Sequence, residues 1–232
     1  MERQFMDPTM VSDGFSRYCT HTFLWMMAGL FITAVTAFLT LVSGLWIPIF
    51  SMTFGPLILF ALQIAVVFAL SARMRNMQPS TVRLLFIGYS VLTGINLSVL
   101  PLAYGVSTMF MAFGYTALMF GCMAVIGATT KRDLSRMGPL LTAGLITIII
   151  MSVVGMFIRL DGVAMVMNYV TVLIFLGLTA YDMQKIRAIY NSCQYDEMML
   201  KKSTIYSAFE LYLDFINIFL AVIRIFGFSR DN

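Results

Sequence analysis

The sequence predicts an all-α polytopic membrane protein with seven transmembrane helices. Three observations lead there. Apolar residues make up 60% of the chain and charged residues 11%, against about 45–50% and about 25% in soluble domains. Mean hydropathy is +0.89. The apolar residues also gather into runs long enough to cross a hydrocarbon core of about 30 Å as helices. Alternating strand patterns are absent, and a backbone in lipid must satisfy its own hydrogen bonds, so helices are the reading.

The runs cover residues 23–44, 52–72, 83–105, 107–129, 138–158, 162–182 and 204–226. The linkers after the first, third and fifth are very short. Consecutive spans should therefore form three antiparallel hairpins, with the seventh span left alone. The expected organisation is a cytoplasmic tail at 1–22, one transmembrane domain at 23–228 and a short C-terminal tail at 229–232.

Basic residues set the orientation. Arg3 and Arg17 precede span 1, Arg73, Arg75 and Arg83 follow span 2, and Lys131, Arg132 and Arg136 follow span 4. Lys185, Arg187, Lys201 and Lys202 lie between spans 6 and 7. Twelve of the 15 basic residues thus fall on one side, leaving Arg159, Arg224 and Arg230 on the other. The N-terminus is expected in the cytoplasm and, with seven spans, the C-terminus outside. Charge counting alone also allows six spans plus a re-entrant last segment.

Composition excludes several functions. Basic cytoplasmic loops account for the net charge of +4, so no nucleic-acid partner is expected. No cleavable signal peptide is evident at the N-terminus. Cys19, Cys122 and Cys193 are isolated and odd in number, which does not support a disulfide framework. A single histidine, His21, and the absence of HExxH argue against zinc. No GxSxG elbow appears. All four lysines sit in loops, so a Schiff-base cofactor has no anchor within the spans. Neither an enzyme nor a bound cofactor is expected.

Carboxylates remain. Of eleven Asp and Glu, eight lie in tails or loops, while Asp182, Glu210 and Asp214 lie within or at the edge of spans. An acid at a helix centre costs roughly 2.5–3.5 kcal/mol on insertion scales, so it should face the bundle interior with a partner. In "AFELYLDFINIFLAVIRIFGF", helical spacing brings Asp214, Asn217 and Arg224 all within about 40° of Glu210 around the axis. The polar groups form one narrow stripe. Asp182 reaches the depth of Asp214 only if span 6 continues through "MQKIRAIYN". Two carboxylates brought together in a low dielectric do not both ionise cheaply, so the pair shares a proton or takes a cation. Oxygen ligands suit a hard ion: Ca²⁺, Mg²⁺ or H⁺. Simpler readings stand beside this one. Asp182 can pair with Lys185 at i+3, and Glu210 near the interface can be solvated. Tyr181, Tyr206 and Tyr212 fit packing, and the twenty Met are adaptable apolar filling.

"GLTAYDMQKI" at 177–186 and "LYLDFINIFLAVIRIFG" at 211–227 resemble the Bax-inhibitor (transmembrane Bax-inhibitor-motif) family, its bacterial branch most closely. "TGINLS" at 93–98 and "TTKRDLS" at 129–135 match in the expected order. The resemblance implies three hairpins around a central last helix and a pH-sensitive Ca²⁺ leak. It places paired aspartates at Asp182 and Asp214 and an arginine latch at Arg73 or Arg75. Some relatives carry an acid in span 2, where this chain has Gln63; Glu210, one turn from Asp214, is a candidate to replace that charge. The separation of Asp182 from Asp214 along the chain suggests a longer cytoplasmic excursion than a tight hairpin needs.

The leading expectation is a calcium leak of the bacterial inner membrane, gated by protonation of Asp182 and Asp214. A proton-coupled transporter of another solute, or a regulator that binds another membrane protein, are the competing classes. The expected partners are the bilayer, calcium ions and protons.

Overall fold

The computed structural model describes residues 8–155 and 161–228. Among these residues the chain is helical, with short connections and no strand. Helix α1 (Pro8–Val42) begins earlier than the apolar run, so residues 8–22 of the expected tail are helical. Gly44, at φ 73°, turns the chain into the short α2 (Trp46–Ser51). Helix α3 (Gly55–Arg73) opens with Gly55-Pro56, and α4 (Pro79–Leu97) with Pro79. Proline suits these first positions because its missing N–H is unsatisfied there anyway. The short α5 (Leu100–Tyr104) ends at Gly105, whose φ of 79° separates it from α6 (Val106–Thr129). Then come α7 (Gly138–Gly155), α8 (Asp161–Cys193) and α9 (Glu197–Phe228).

Among the described residues, six stretches are long and apolar enough to cross a membrane: Gly14–Val42, Gly55–Asn76, Pro79–Tyr104, Val106–Thr129, Gly138–Gly155 and Ala164–Cys193. They correspond in order to the first six expected spans. Helix α9 is not among them. It carries Glu210, Asp214 and Arg224 within its apolar stretch, and every residue from Lys202 to Ile223 is buried or half-buried by protein.

The long cytoplasmic excursion expected between Asp182 and Asp214 is not found. Helix α8 runs eleven residues past Asp182, and only residues 194–196 separate it from α9. Both helices continue through polar residues because each keeps an apolar face to bury, with Ile186, Tyr190 and Cys193 inside on α8 and Ile205, Ala208 and Phe209 inside on α9. Asp196 caps the start of α9, its carboxylate accepting the Met199 N–H at 2.9 Å. Arg3, Arg159, Arg230 and the tail at 229–232 lie outside the described residues.

The chain divides into two compact units, one formed by the residues up to Val99 with Ile186–Tyr212, the other by Leu100–Lys185 with the chain from Leu213 onward. In the first unit α4 packs against α1 and α3. Gly94 permits this: a Cβ there would press on the Thr33 carbonyl and Thr36. Phe86, Phe209 and Tyr212 stack edge to face, with Phe86 5.8 Å from Phe209 and 5.5 Å from Tyr212 between ring centres. In the second unit α6 meets α8 so closely that a Cβ on Gly127 would strike the Ala180 backbone. Phe113 and Phe120 of α6 flank Phe215 of α9 at 5.4 and 5.6 Å.

Candidate ion site

Helix periodicity places Asp182 on the inner face of α8. Val172, Phe175, Thr179, Asp182, Ile186 and Tyr190 recur at three- and four-residue intervals and are all buried, which is the spacing of one helix face. Asp182 is 8% exposed and Asp214 3%, and each engages at least one polar or charged neighbour. Both belong to the second unit. Asp182 lies eleven residues before the end of α8 and Asp214 seventeen after the start of α9. Asp214 is therefore six residues, about 9 Å of helix, farther from the α8–α9 turn than Asp182 is.

Of the polar stripe expected on α9, Glu210, Asn217 and Arg224 share its less buried face, and Asp214 does not. From Lys202 to Arg224, the residues that are less than fully buried are Tyr206, Glu210, Leu213, Asn217, Leu220 and Arg224. They recur every three or four residues, so they form one line. Asp214 sits at the edge of this line and turns inward, whereas Glu210 lies on it, half-buried, and Arg224 is exposed. Asn217 donates its side-chain N–H to the Leu213 carbonyl at 2.7 Å, satisfying a polar group on the helix's own backbone.

Arg73 and Arg75 are both exposed. What holds that corner within the first unit is Lys202, which the sequence offers only as one more loop cation. The residue is 6% exposed, and its ammonium donates to the Arg75 carbonyl at 2.7 Å. Arg83 lies over the Trp25 ring at 5.8 Å. Gln63 belongs to a neutral network rather than to a carboxylate site: it accepts from Asn96 Nδ2 at 2.8 Å and donates to Thr93 Oγ1 at 3.0 Å. A glutamate there would lose the donor that Thr93 receives. Tyr212, two residues before Asp214, is fully buried, and its hydroxyl meets Thr33 Oγ1 at 2.7 Å. No signal in a single sequence marks this tyrosine, because its partner is 179 residues away.

Among the described residues no group of three or more His, Cys, Asp or Glu gathers to hold a metal ion.

The chain matches the family model described as "Inhibitor of apoptosis-promoting Bax1" over residues 16–231. It belongs to the Bax-inhibitor family. Relatives within and beyond enteric bacteria agree. "Inner membrane protein YbhL" of Escherichia coli K12 is 37% identical over 219 residues, covering 94% of each chain. An uncharacterized protein of Rickettsia prowazekii, RP147, is 37% identical, covering 94% of this chain and 92% of its own. One from Deinococcus radiodurans is 35% identical over 232 residues, 100% of this chain and 98% of its own. The family-like motifs also have a structural sense. "TGINLS" supplies Thr93 and Asn96 to the Gln63 network and Gly94 to the α1–α4 contact. "GLTAYDMQKI" supplies Gly177 and Ala180 to helix contacts and Gln184 to a clamp on "TTKRDLS", donating to the Arg132 carbonyl at 2.9 Å and accepting from the Leu134 N–H at 2.8 Å.

Proposed function

We propose that this protein is a pH-sensitive calcium leak of the bacterial inner membrane, acting without chemistry on its cargo. The observation that carries the reading is the two buried carboxylates, Asp182 and Asp214, each on a buried face of a long helix. Buried acids in a membrane protein mark ion or proton paths, and the half-buried stripe through Glu210 and Asn217 offers polar footing beside them. In this reading α9 is a seventh span, the three hairpins of the other spans surround it, and the N-terminus is cytoplasmic. Protonation of the aspartate pair closes the path; loss of the proton leaves two negative charges that favour cation entry. Arg73 or Arg75, at the end of α3, acts as the latch of the closed form.

Purified protein in liposomes loaded with a calcium indicator tests the reading. Passive Ca²⁺ entry that falls on acidification is the expected result. Solute uptake driven by a proton gradient would replace it with a coupled transporter, and the absence of any flux would leave a membrane-protein regulator.

A further inference from the structure

The second unit has a groove at the Thr129 end of α6. Met123 and Ile126 of α6, Leu134 and Met137 of the following loop, and Gly177 and Tyr181 of α8 enclose about 140 Å³. That is close to the roughly 150 Å³ of an apolar cavity known to hold benzene. The lining is almost wholly apolar side chains. Tyr181 forms a rigid wall because its ring rests against Gly138, where a Cβ would lie only 3.0 Å away.

Basic residues adjoin the lining residues in sequence. Lys131 and Arg132 follow Thr130, Arg136 precedes Met137, and all three are exposed. Asp133 is the acid of the same loop. Its carboxylate accepts the Ser135 N–H at 2.9 Å. Hydrogen bonding from the Ser135 side chain, then from its backbone, and the charge of Arg136 hold that carboxyl below its ordinary range. It therefore stays ionised, and the loop keeps a net charge of two positives at neutral pH. The loop is also fixed in place. Gln184 grips its backbone on both sides of Asp133, at the Arg132 carbonyl and the Leu134 N–H.

We propose that this groove binds one anionic phospholipid, with its phosphate at Lys131 and Arg132 and the upper part of an acyl chain against Met123, Ile126 and Tyr181. Its volume of about 140 Å³ is room for part of one acyl chain. It lies on membrane-crossing helices at their loop end, where headgroup and hydrocarbon meet. Basic pockets between such helices recognise anionic headgroups. A general bias of basic loops toward one side explains the charges, but not the Gln184 grip or the apolar slot beneath them. The site is independent of whether the protein conducts ions.

The test is retention of lipid by the full-length protein in mixed micelles, read by native mass spectrometry. Phosphatidylglycerol should be kept over phosphatidylcholine by roughly tenfold to thirtyfold, the factor two net cations near a surface supply. Lys131→Gln with Arg132→Gln should remove that preference. Met123→Trp, which fills the slot, should lower retention of both lipids. Arg17→Gln with Lys201→Gln, which removes equal charge elsewhere, should leave the preference intact. Equal retention of both lipids by the unaltered chain overturns the proposal. So does an equal loss of preference in the control pair, which would mean bulk charge alone. Thermal stabilisation by soluble glycerol phosphate to the same degree as by phosphatidylglycerol would also overturn it, in favour of a free-anion site.

Discussion

Glu210 and Asp214 are one helical turn apart, yet their surroundings differ. Asp214 is 3% exposed and flanked by Leu213 and Phe215, while Glu210 lies half-buried on the open stripe. In the proposed leak, a cation that loses water at Asp214 would depend on that charge, and one passing Glu210 would keep more of its solvent. Asp214→Asn, which preserves shape, should therefore reduce Ca²⁺ flux to the level of protein-free liposomes while the protein still elutes as a folded species. Glu210→Gln should shift rate or apparent affinity by less than about fivefold, the range of partly solvated charges. Unchanged flux in Asp214→Asn would remove it from the path. Tyr212 makes a different kind of claim. Tyr212→Phe deletes the hydroxyl that meets Thr33, and polar contacts between membrane helices contribute about 1 kcal/mol each. A loss of that order in unfolding free energy, measured in detergent, is expected, with flux retained.

At the scale of helices, the connections carry the orientation. Gly105 separates α5 from α6, while basic residues crowd the 130–137 loop and flank the α8–α9 turn. After Cys19, Cys122 and Cys193 are changed to serine, single cysteines at 105–107 should react with an impermeant reagent added outside intact cells. Cysteines at 131–136 and 194–196 should not. External labelling of the basic loops would reverse the orientation and move the aspartates' nearer entrance to the other side. The second helix-scale prediction concerns α3. Arg73 ends α3, Arg75 follows it, and Arg83 stacks on Trp25. If a latch forms from the end of α3, Arg73→Ala or Arg75→Ala should leak faster near neutral pH, and Arg83→Ala should match the unaltered protein. Identical flux in all three across about pH 6 to 8 would leave simple proton competition at the aspartates.

For the molecule as a whole, acid should close the path. Each proton added to the Asp182–Asp214 pair removes a negative charge that attracts Ca²⁺, so flux falls as pH falls. The Asp182→Asn and Asp214→Asn double variant has no such proton to gain. Any residual flux through it should be flat with pH, and a preserved pH profile would place the sensor elsewhere. The exposed acids are poor alternatives. Hydrogen bonding from Lys201 and then its charge hold the Glu197 carboxyl below its ordinary range, and Asp133 is lowered in the same direction. Both remain ionised through the neutral range and lose charge only in stronger acid.

The helical class and the first six spans were legible in the sequence because hydropathy is local: about twenty apolar residues in a row have one stable answer in lipid. Angular spacing on a helix is local too, which is why the stripe through Glu210, Asn217 and Arg224 could be drawn before its burial was seen. The extension of α8 past Asp182 was allowed by "MQKIRAIYN" but not required by it. Tertiary burial of Ile186, Tyr190 and Cys193 made those polar turns helical, and the expected excursion became a short turn at residues 194–196. Pairing between distant helices was beyond local reading altogether. Thr33 with Tyr212, Gln63 with Asn96, Lys202 with the Arg75 carbonyl and Gln184 with the 130–134 loop each join residues far apart in sequence. Side chains of these types have many partners available in principle. Only the packed helices, through glycines such as Gly94 and Gly127 that let backbones touch, decide which partner comes within a hydrogen bond.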